Sequence, residues 1–287
     1  MEFEPSTDIN AREAFSLLGH DIRLDILLAL LEDWVAVYTE PKSYSELMAA
    51  VEMEDSGKFN YHLNKLRGAY VRKVEDGYVP TASATALYRT VLAHRPTEAF
   101  EFEPRSLEAA CPECGSPLVL RYDRGFVSID CDACEEWIGF TYSFPQNGFA
   151  SHGSDAVLDA VDNRVRCDVE VARRGQCPDC VGSMNVDLRT NSIERGDHWV
   201  ELACNTCSFI VGMDLLSAMV GDDRVASALR SVGIDPEQRL WELPVGTTRL
   251  ESQDPPILAV DLEADAGTAL IVVDETLTLR SVATGDD

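Results

Sequence analysis

The amino-acid sequence predicts an α+β protein with a helical N-terminal domain, two β units that each contain four cysteines, and a small antiparallel sheet at the C-terminus. Three observations carry this prediction. Apolar residues recur at helical spacing in the first 95 residues. Eight of the nine cysteines form four Cys-x-x-Cys pairs in the middle of the chain. Short runs of aliphatic residues separated by turn signals follow near the C-terminus.

The first predicted helices lie on either side of Gly19 and His20, which interrupt the helical pattern. The second of these helices is expected to bury one stripe of leucines at helical spacing. The stripe consists of Leu24, Leu27, Leu28 and Leu31. A short helix over 46–51 follows, with Ser45 as its expected N-cap. Residues 53–55 then form a turn.

The next predicted helix begins at Asp55 or Ser56 and runs to Arg67. Its apolar residues Phe59, Leu63 and Leu66 share one side of the helix and are expected to face inward. His62 lies beside them and can face either the core or the outside. This spacing leaves a polar outer face. Its members are Lys58, Asn60, Tyr61, Asn64 and Lys65.

A hairpin is predicted after this helix, with strands over 71–74 and 78–80. The dipeptide Asp76-Gly77 between them is a strong signal for a tight turn. A further helix, lined by Leu87, Tyr88, Val91 and Leu92, ends at Pro96. A helix with a polar outer face followed by a hairpin is typical of a winged helix-turn-helix, which makes duplex DNA the first candidate partner.

The charge distribution supports that partner. The chain has 50 acidic and 24 basic residues, for a net charge of −26, yet residues 56–74 contain five bases and no acid. All four lysines lie between Lys42 and Lys73. Residues 1–95 hold ten bases and 15 acids, which leaves −21 for the remainder.

The overall composition resembles that of proteins from salt-loving archaea, which fold in molar potassium chloride. At about 1 M salt the Debye length is only about 3 Å, so net negative charge does not prevent DNA binding. In ordinary salt so acidic a chain would bind DNA poorly, and the interpretation that its acidic surface binds a protein would be favoured more.

The cysteine pairs form two matched sets. The pair C-P-E-C at 111–114 is followed after 16 residues by C-D-A-C at 131–134, and C-P-D-C at 177–180 is followed after 23 residues by C-N-T-C at 204–207. Each gap predicts a hairpin. The predicted strands are 118–122 with 126–130, and 184–189 with 198–202.

Two thiolate pairs on tight turns supply the tetrahedral sulfur site that zinc prefers, and each set resembles a zinc ribbon. Iron in a rubredoxin-like site is the chemical rival. Four sulfurs leave no open position, so two structural Zn²⁺ ions per chain are expected. The ligands are Cys111, Cys114, Cys131, Cys134, Cys177, Cys180, Cys204 and Cys207. Cys167 belongs to neither set and is expected to be a small buried apolar residue.

The remaining elements are a linking helix over 154–171, a helix near 222–231, and strands near 257–263, 268–273 and 277–282. The arginines at 164, 166, 173 and 174 are expected on a solvated helix face. The expected domains are 1–95 for the winged helix-turn-helix, 96–110 for a linker, 111–176 for the first ribbon with the linking helix, and 177–287 for the second ribbon with the C-terminal α+β region.

Several classes of protein are disfavoured. No nucleophile–base arrangement, glycine-rich phosphate loop or carboxylate pair is visible, so an enzyme is not expected. No run of 18 apolar residues predicts a membrane span. The N-terminal sequence M-E-F-E-P-S-T-D lacks the basic and apolar regions of a signal peptide, so a cytoplasmic location is expected.

Residues 12–80 resemble the winged helix-turn-helix of ArsR-type transcription regulators. The resemblance rests on F-S-L-L-G-H-D-I-R-L-D-I-L at 15–27, S-E-L at 45–47, F-N-Y-H-L-N-K-L at 59–66 and V-R-K-V-E-D-G-Y at 71–78. With its cysteine-rich tail, the chain resembles haloarchaeal regulators of that family with zinc-ribbon C-terminal halves. Metal-sensing members have cysteines in the DNA-binding domain, whereas residues 1–110 contain none, which argues against metal sensing there.

The resemblance implies DNA-contacting residues and a homodimer. The residues implied to face the major groove are Ser56, Lys58, Asn60, Tyr61 and Asn64. The residues implied to contact phosphates are Lys65, Arg67, Arg72 and Lys73. Family members are usually dimers built from the first and last helices of this domain. The implied interface residues are Phe15, Leu18, Leu87 and Val91.

The function expected is therefore that of a sequence-specific DNA-binding transcriptional regulator with structural zinc ribbons. One alternative is a general transcription factor that binds RNA polymerase, like archaeal transcription factor E, although that factor has one ribbon and this chain has two. The other alternative is a zinc-ribbon adaptor that binds only proteins and uses the winged helix for docking.

Overall fold

The computed structural model describes residues 10–134, 139–153, 156–192 and 196–285. It divides the chain into two compact units, Met1–Ala99 and Phe100–Asp287. The N-terminal octapeptide and the expected helix start at Ser154 lie outside the described residues. Among the residues described, no helix is both long enough and apolar enough to cross a membrane.

The first unit consists of helices and one hairpin. Its elements are α1 (Ala11–Leu18), α2 (Asp21–Leu31), α3 (Tyr44–Ala50), α4 (Ser56–Leu66), β1 (Val71–Val74), β2 (Gly77–Pro80) and α5 (Ala82–His94), with a short 3₁₀ turn at Ala36–Tyr38. Gly19 and His20 separate α1 from α2, as the sequence predicts. The predicted hairpin is present, and Gly77, expected in the turn, pairs with Val74 as the first residue of β2.

The buried side of α2 differs from the predicted stripe. Ile26, Leu27, Leu30 and Leu31 are buried, Leu28 is half-buried, and Leu24 is 44% exposed. The sequence of α2 is apolar on more than one side, so the helix pattern does not define a single face. The surrounding α1, α3, α4 and α5 select the side that is buried.

The N-cap of α3 is Ser43, and the predicted cap at Ser45 was wrong. The Ser43 side chain accepts the Glu46 amide at 3.3 Å, and the Glu46 carboxylate accepts the Ser43 amide at 2.7 Å. A capping box needs an acid three residues after the cap, and only Ser43 has one. The hydrogen bonds from Ser43 lower the pKa of the Glu46 carboxyl.

The inner side of α4 is as predicted, because Phe59, Leu63 and Leu66 are fully buried. Asp55 caps the helix by accepting the Lys58 amide at 3.0 Å. Tyr44 of α3 holds the start of α4, since its hydroxyl donates to the Ser56 carbonyl at 2.8 Å. The position of α4 is therefore set both by its apolar side and by a polar contact at its first residue.

His62 faces the core, which decides the point that the sequence left open. Its side chain is only 6% exposed, and its ring centroid lies 4.1 Å from that of His20. Its Nδ1 is buried without a hydrogen-bond partner. Burial lowers the pKa of His62, and the charges of His20, Arg23 and Lys58 act in the same direction. The neutral imidazole is therefore the form that fits this position.

The hairpin is joined to the segment before α3. Lys42 pairs with Tyr78 through two backbone hydrogen bonds of 3.1 and 2.9 Å. A Cβ atom at Gly77 would lie 2.4 Å from the Lys42 carbonyl oxygen. Position 77 therefore needs glycine for this close approach as well as for the turn.

The second unit packs three antiparallel sheets and several helices around one hydrophobic core. The sheets are β3 (Arg105–Ala110), β4 (Pro117–Asp123), β5 (Phe126–Asp130) and β6 (Phe140–Ser143); β7 (Met184–Ser192), β8 (Gly196–Cys204) and β9 (Ile210–Met213); and β10 (Thr247–Gln253), β11 (Pro256–Ala264), β12 (Gly267–Asp274) and β13 (Leu279–Gly285). The helices are α6 (Gln146–Ser151), α7 (Ala156–Arg173), α8 (Leu215–Met219) and α9 (Asp223–Ser231), with a 3₁₀ turn at Leu240–Glu242.

The segment expected as a linker is partly a strand. Residues 105–110 form β3, which pairs with β4, and Phe100 and Phe102 both contact Phe149 in the core. Every second residue of β3 faces the core side, while the residues between are exposed. Residues 100–110 of this segment therefore belong to the second unit, and residues 96–99 belong to the first.

The predicted hairpins at β4–β5 and β7–β8, the helix α9 and the last three strands are present. The structure adds β6, β9 and β10, which the sequence did not predict. β10 is an edge strand that alternates half-buried and exposed residues and pairs only with β11. Its sequence T-T-R-L-E-S-Q contains one aliphatic residue, so it lacks the apolar signal of a strand.

Of the four arginines expected on a solvated face, Arg164 and Arg174 are exposed as expected, whereas Arg166 and Arg173 are half-buried. Arg164 contacts Asp168 at 2.7 Å, and Asp168 also accepts the Tyr142 hydroxyl at 2.8 Å. Burial and the adjacent Asp168 carboxylate raise the pKa of Tyr142. The aspartate is almost fully buried, so these two partners compensate for its removal from water.

A second such pair links α7 to the segment after α9. Arg166 contacts the buried Asp162 at 2.7 Å and donates to the Gln238 carbonyl at 2.6 Å, while Asp162 accepts the Leu240 amide at 2.8 Å. Cys167, which follows Arg166 in α7, is exposed, so the expectation of a buried thiol was wrong. The buried positions of α7 recur at helical spacing, and 167 falls outside them.

The buried His62 predicts that the first unit loses stability in acid. The unfolded chain binds a proton at the ordinary histidine pKa of about 6.5, whereas folded His62 binds it only at lower pH. Stability is therefore present above that pH and is lost as the pH falls towards the folded value. Amide hydrogen exchange in α4, corrected for intrinsic rates, should accelerate on acidification in the wild type and much less in His62→Gln. The exposed His94→Gln is the control; an equal loss of pH dependence in it would contradict the assignment.

Candidate metal centres and nucleic-acid interface

The four cysteines of each set converge at the ends of strands. In the first set, the Sγ atoms are 3.7 Å apart for Cys111–Cys134, 3.5 Å for Cys114–Cys131 and 3.7 Å for Cys131–Cys134. In the second set, they are 3.6 Å apart for Cys177–Cys207 and 3.5 Å for Cys180–Cys204. Within each set, all four sulfur atoms lie within 4.8 Å of one another.

These distances fit a four-coordinate cation. Zinc–sulfur bonds of about 2.3 Å in a tetrahedron place the sulfurs about 3.8 Å apart. A disulfide would need about 2.05 Å, and all eight thiols are free. The two sets can therefore hold two metal ions, and with four sulfurs each they leave no position for water or substrate. Their geometry suits a structural site.

Backbone amides stabilise sulfur charge in the second set. The amides of Thr206 and Cys207 donate to Cys204 Sγ at 3.3 and 3.4 Å. These two hydrogen bonds, of which the one from Cys207 has the larger effect, lower the pKa of Cys204 to about 6. Burial raises the pKa of Cys207 to about 12. In the first set, hydrogen bonds from Ser116 lower the pKa of Cys114 to about 6. Thiolate, the form that binds metal, is thus already favoured at one cysteine of each set.

The Cys-Pro-x-Cys turns of the two sets share one backbone design. Gly115 donates to the Cys111 carbonyl at 2.9 Å, and Val181 donates to the Cys177 carbonyl at 3.0 Å. The residue after the second cysteine is left-handed in both turns, with φ of +72° at Gly115 and +63° at Val181. Glycine adopts this conformation without strain, but a β-branched residue does not. Val181 is 66% exposed, so packing does not compensate for its backbone strain.

The residues expected to contact DNA all lie on the surface of α4 and its flanks. The exposed residues are Ser56, Lys58, Asn60, Tyr61, Asn64, Lys65, Arg67, Arg72 and Lys73. The structure brings the first six together on the outer face of α4, with Arg67 at its end, and it places Arg72 and Lys73 on β1.

The bases of this face differ from those of the second unit in their pairing. In the described part of the chain, none of the five bases between 56 and 74 forms an ion pair with an acid. Twelve arginines of the second unit do. They are Arg121, Arg124, Arg164, Arg166, Arg173, Arg174, Arg189, Arg224, Arg230, Arg239, Arg249 and Arg280. Positive charge that acids neutralise in the second unit thus remains available on α4 and the hairpin.

Side-chain contacts within this face restrain some of its residues and leave others without a partner among the residues that the structure describes. Arg67 donates to the Asn64 side-chain oxygen at 2.9 Å, and the Lys65 ammonium lies 5.6 Å from the Tyr61 ring centroid. Gly57 opens a shallow depression bordered by Asn60, Tyr61, Asn64 and Lys65. The sequence reasoning missed Gly57, although a glycine inside a helical pattern is a recognisable signal. It also missed Tyr44, whose contact with Ser56 depends on how α3 packs.

Comparison with known families gives two matches. The family model described as Domain of unknown function (DUF7351) matches residues 108–279, which are more than half of the chain. The family model described as Domain of unknown function (DUF7347) matches residues 11–91. No curated protein and no solved structure matches the chain.

The two cysteine sets predict two zinc ions per chain in protein purified without added metal. Elemental analysis should find about one ion fewer in each of Cys114→Ser and Cys180→Ser, because each removes one of four ligands. Cys167→Ser, which lies outside both sets, is the control and should keep both ions. Iron in place of zinc, or a content near zero, would contradict the prediction.

The left-handed Val181 predicts that Val181→Gly stabilises the zinc-loaded protein by about 1 kcal/mol, because relief of backbone strain exceeds the added freedom of the unfolded chain. The matched variant Gly115→Val should destabilise by a similar amount. Denaturant unfolding in high salt measures both. A loss of stability in Val181→Gly would mean that the valine side chain contributes contacts that outweigh the strain.

Proposed function

The chain belongs to the family described as a domain of unknown function (DUF7351), and we propose that it is a sequence-specific DNA-binding regulator of transcription. Its first unit is proposed to be a winged helix-turn-helix and its second unit to carry two structural zinc ions. The observation that carries the proposal is the set of unpaired bases on α4 and β1, in a chain whose other arginines are largely paired with acids. Such a surface suits an anionic partner.

The order of elements supports a winged helix-turn-helix. α3 and α4 are joined by a five-residue connection, 51–55, and α4 is followed by the hairpin β1–β2. α4 buries one side and exposes a polar one, as a recognition helix must in order to enter the major groove. In this proposal the hairpin would act as the wing, and its exposed Arg72 and Lys73 would contact the DNA backbone.

The side chains of this face divide by chemistry into two groups. Asn60 can form a bidentate pair with adenine, and Lys58 can reach guanine, and such contacts are worth about 1–3 kcal/mol each in discrimination. The other bases, which are Lys65, Arg67, Arg72 and Lys73, supply phosphate contacts that set position and carry little sequence information. In molar salt the counterion-release contribution is small, so base contacts provide most of the specific affinity.

The zinc ions are proposed to act as structural crosslinks. Cysteine sulfurs of the two sets would hold them, and each ion would join the turns that begin and end a hairpin. Both sets adjoin the core of the second unit, since Cys111 and Cys177 are buried. Metal binding would then supply folding free energy to this unit.

A homodimer is proposed through α1 and α5. Phe15 is 65% exposed and Val91 and Leu92 are about half exposed, which leaves apolar surface on both helices. Leu18 and Leu87, also implied as interface residues, pack partly against the core of their own unit. A dimer would read a palindrome with half-sites about 10 base pairs apart or a multiple of that.

A second candidate, a protein-binding transcription factor or adaptor, is favoured by the acidity of the second part of the chain. Residues 96–287 hold 14 bases and 35 acids. Their surface could meet a basic protein. This candidate does not account for the unpaired bases of α4.

Selection of bound duplexes from a random pool, at salt from physiological to molar potassium chloride, tests the proposal. The zinc-loaded full chain should select a palindromic consensus. Asn60→Ala and Lys58→Ala should relax the consensus at separate positions, whereas Arg72→Ala should weaken binding to all sequences alike. Arg124→Ala, which removes an 88% exposed arginine from the second unit, is the control for charge alone and should bind as the wild type does. Selection of no consensus at any salt would favour the protein-binding candidate.

A further inference from the structure

The outer face of α4 contains a shallow depression that begins at its second residue and extends along most of the helix. It is lined by Gly57, Asn60, Tyr61, Asn64 and Lys65, and of these Gly57 alone has no side chain. Gly57 is the second residue of α4, and the N-terminal residues of a recognition helix are the ones that contact base edges. A small group that projects from the edge of a base pair could therefore enter the depression if α4 lies in the major groove.

The two asparagines at the border are not equivalent. The Asn64 side-chain oxygen accepts a hydrogen bond from Arg67 at 2.9 Å, whereas Asn60 makes no side-chain hydrogen bond within the described residues. A bidentate contact with adenine needs both the oxygen and the NH₂ group of one amide. Asn60 has both available. Asn64 instead orients the guanidinium of Arg67, which makes it a positioning residue for a phosphate contact.

Tyr61 supplies an aromatic wall to the depression. Its side chain is 59% exposed, and the ring packs edge-on against buried His62 with centroids 5.1 Å apart. Lys65 lies on the ring at 5.6 Å from its centroid. The ring therefore contacts both neighbours and exposes apolar surface beside Gly57, which has no side chain.

We infer that α4 reads an A·T step, with adenine bound by Asn60 and a thymine methyl group seated over Gly57 against Tyr61. The thymine methyl group is the only apolar group that projects from an unmodified base into the major groove. Within the depression, the Tyr61 ring and Gly57, which has no side chain, offer the methyl group an apolar contact, while Asn60 supplies the polar one. The inference rests on the proposed DNA-binding function and specifies which base edges the site recognises.

Gly57 offers a clean test of the depression. A Cβ atom added there would meet nothing closer than an Asp55 side-chain oxygen at 3.4 Å, an ordinary contact. Alanine is also the better helix former by about 1 kcal/mol. Gly57→Ala should therefore fold at least as stably as the wild type, which thermal unfolding checks, while its own methyl group occupies the depression.

The experiment measures binding to the selected duplex and to copies in which single thymines are replaced by uracil, which lacks only the methyl group. Wild-type affinity should fall about four-fold at the thymine that fills the depression, the amount expected for one buried methyl group. Gly57→Ala should bind the thymine and uracil duplexes equally. In parallel, 7-deaza-adenine, which lacks the N7 acceptor, should weaken binding to the wild type and have no effect on Asn60→Ala.

Asn64→Ala and Arg67→Ala test the positioning role. Each should weaken binding to all sequences, and the double variant should be no weaker than Arg67→Ala alone, because both remove the same phosphate contact. If Asn64→Ala instead loses the preference for one particular base, Asn64 contacts that base directly and its positioning role is refuted.

The outcomes separate the inference from the proposed function. If a consensus is selected but every uracil duplex binds as its thymine counterpart does, or if Gly57→Ala keeps the difference, the thymine site is refuted and the DNA-binding function stands. If no consensus is selected, the proposed function and the inference both fail.

Discussion

Phe59, Leu63 and Leu66 are fully buried along one side of α4, and this burial determines what the first unit exposes to solvent. With these three residues held inside, Asn60, Tyr61 and Asn64 must point outward, since they occupy the remaining positions of the helical repeat. The contact from Tyr44 to the first turn then sets where the helix begins. The outer face is thus a consequence of core packing.

Charge pairing is the second constraint. A net charge of −26 gives most bases an acid nearby, and in the second unit arginines form ion pairs that range from surface contacts to the buried pairs of α7. Exposed pairs of this kind contribute little stability. Their effect here is to remove positive potential from that surface. The acid-free stretch 56–74 keeps its charge available, so one small region can attract an anion in an otherwise acidic molecule.

The two cysteine sets act within a common core. Residues from the strands around both sets, from α7 and from the C-terminal sheet belong to one hydrophobic cluster. Loss of either ion should therefore disturb more than its own turn. The sets nevertheless differ in detail, because the same left-handed position holds Gly115 in one turn and Val181 in the other. The repeated backbone design thus tolerates a strained residue in one of the two turns.

The sequence by itself determined the features that depend on neighbouring residues. Cysteine pairs three residues apart predicted the two four-sulfur sets, the spacing of Phe59, Leu63 and Leu66 predicted the sides of α4, and Asp76-Gly77 predicted the hairpin, because each acts over a few residues of chain. Only the tertiary structure decided which side of α2 is buried, that Arg164 and Arg166 reach buried aspartates, and that β3 and β10 are strands. These outcomes depend on partners far away in sequence: a helix that is apolar on several sides, or a polar strand at a sheet edge, takes its role from the surface it packs against.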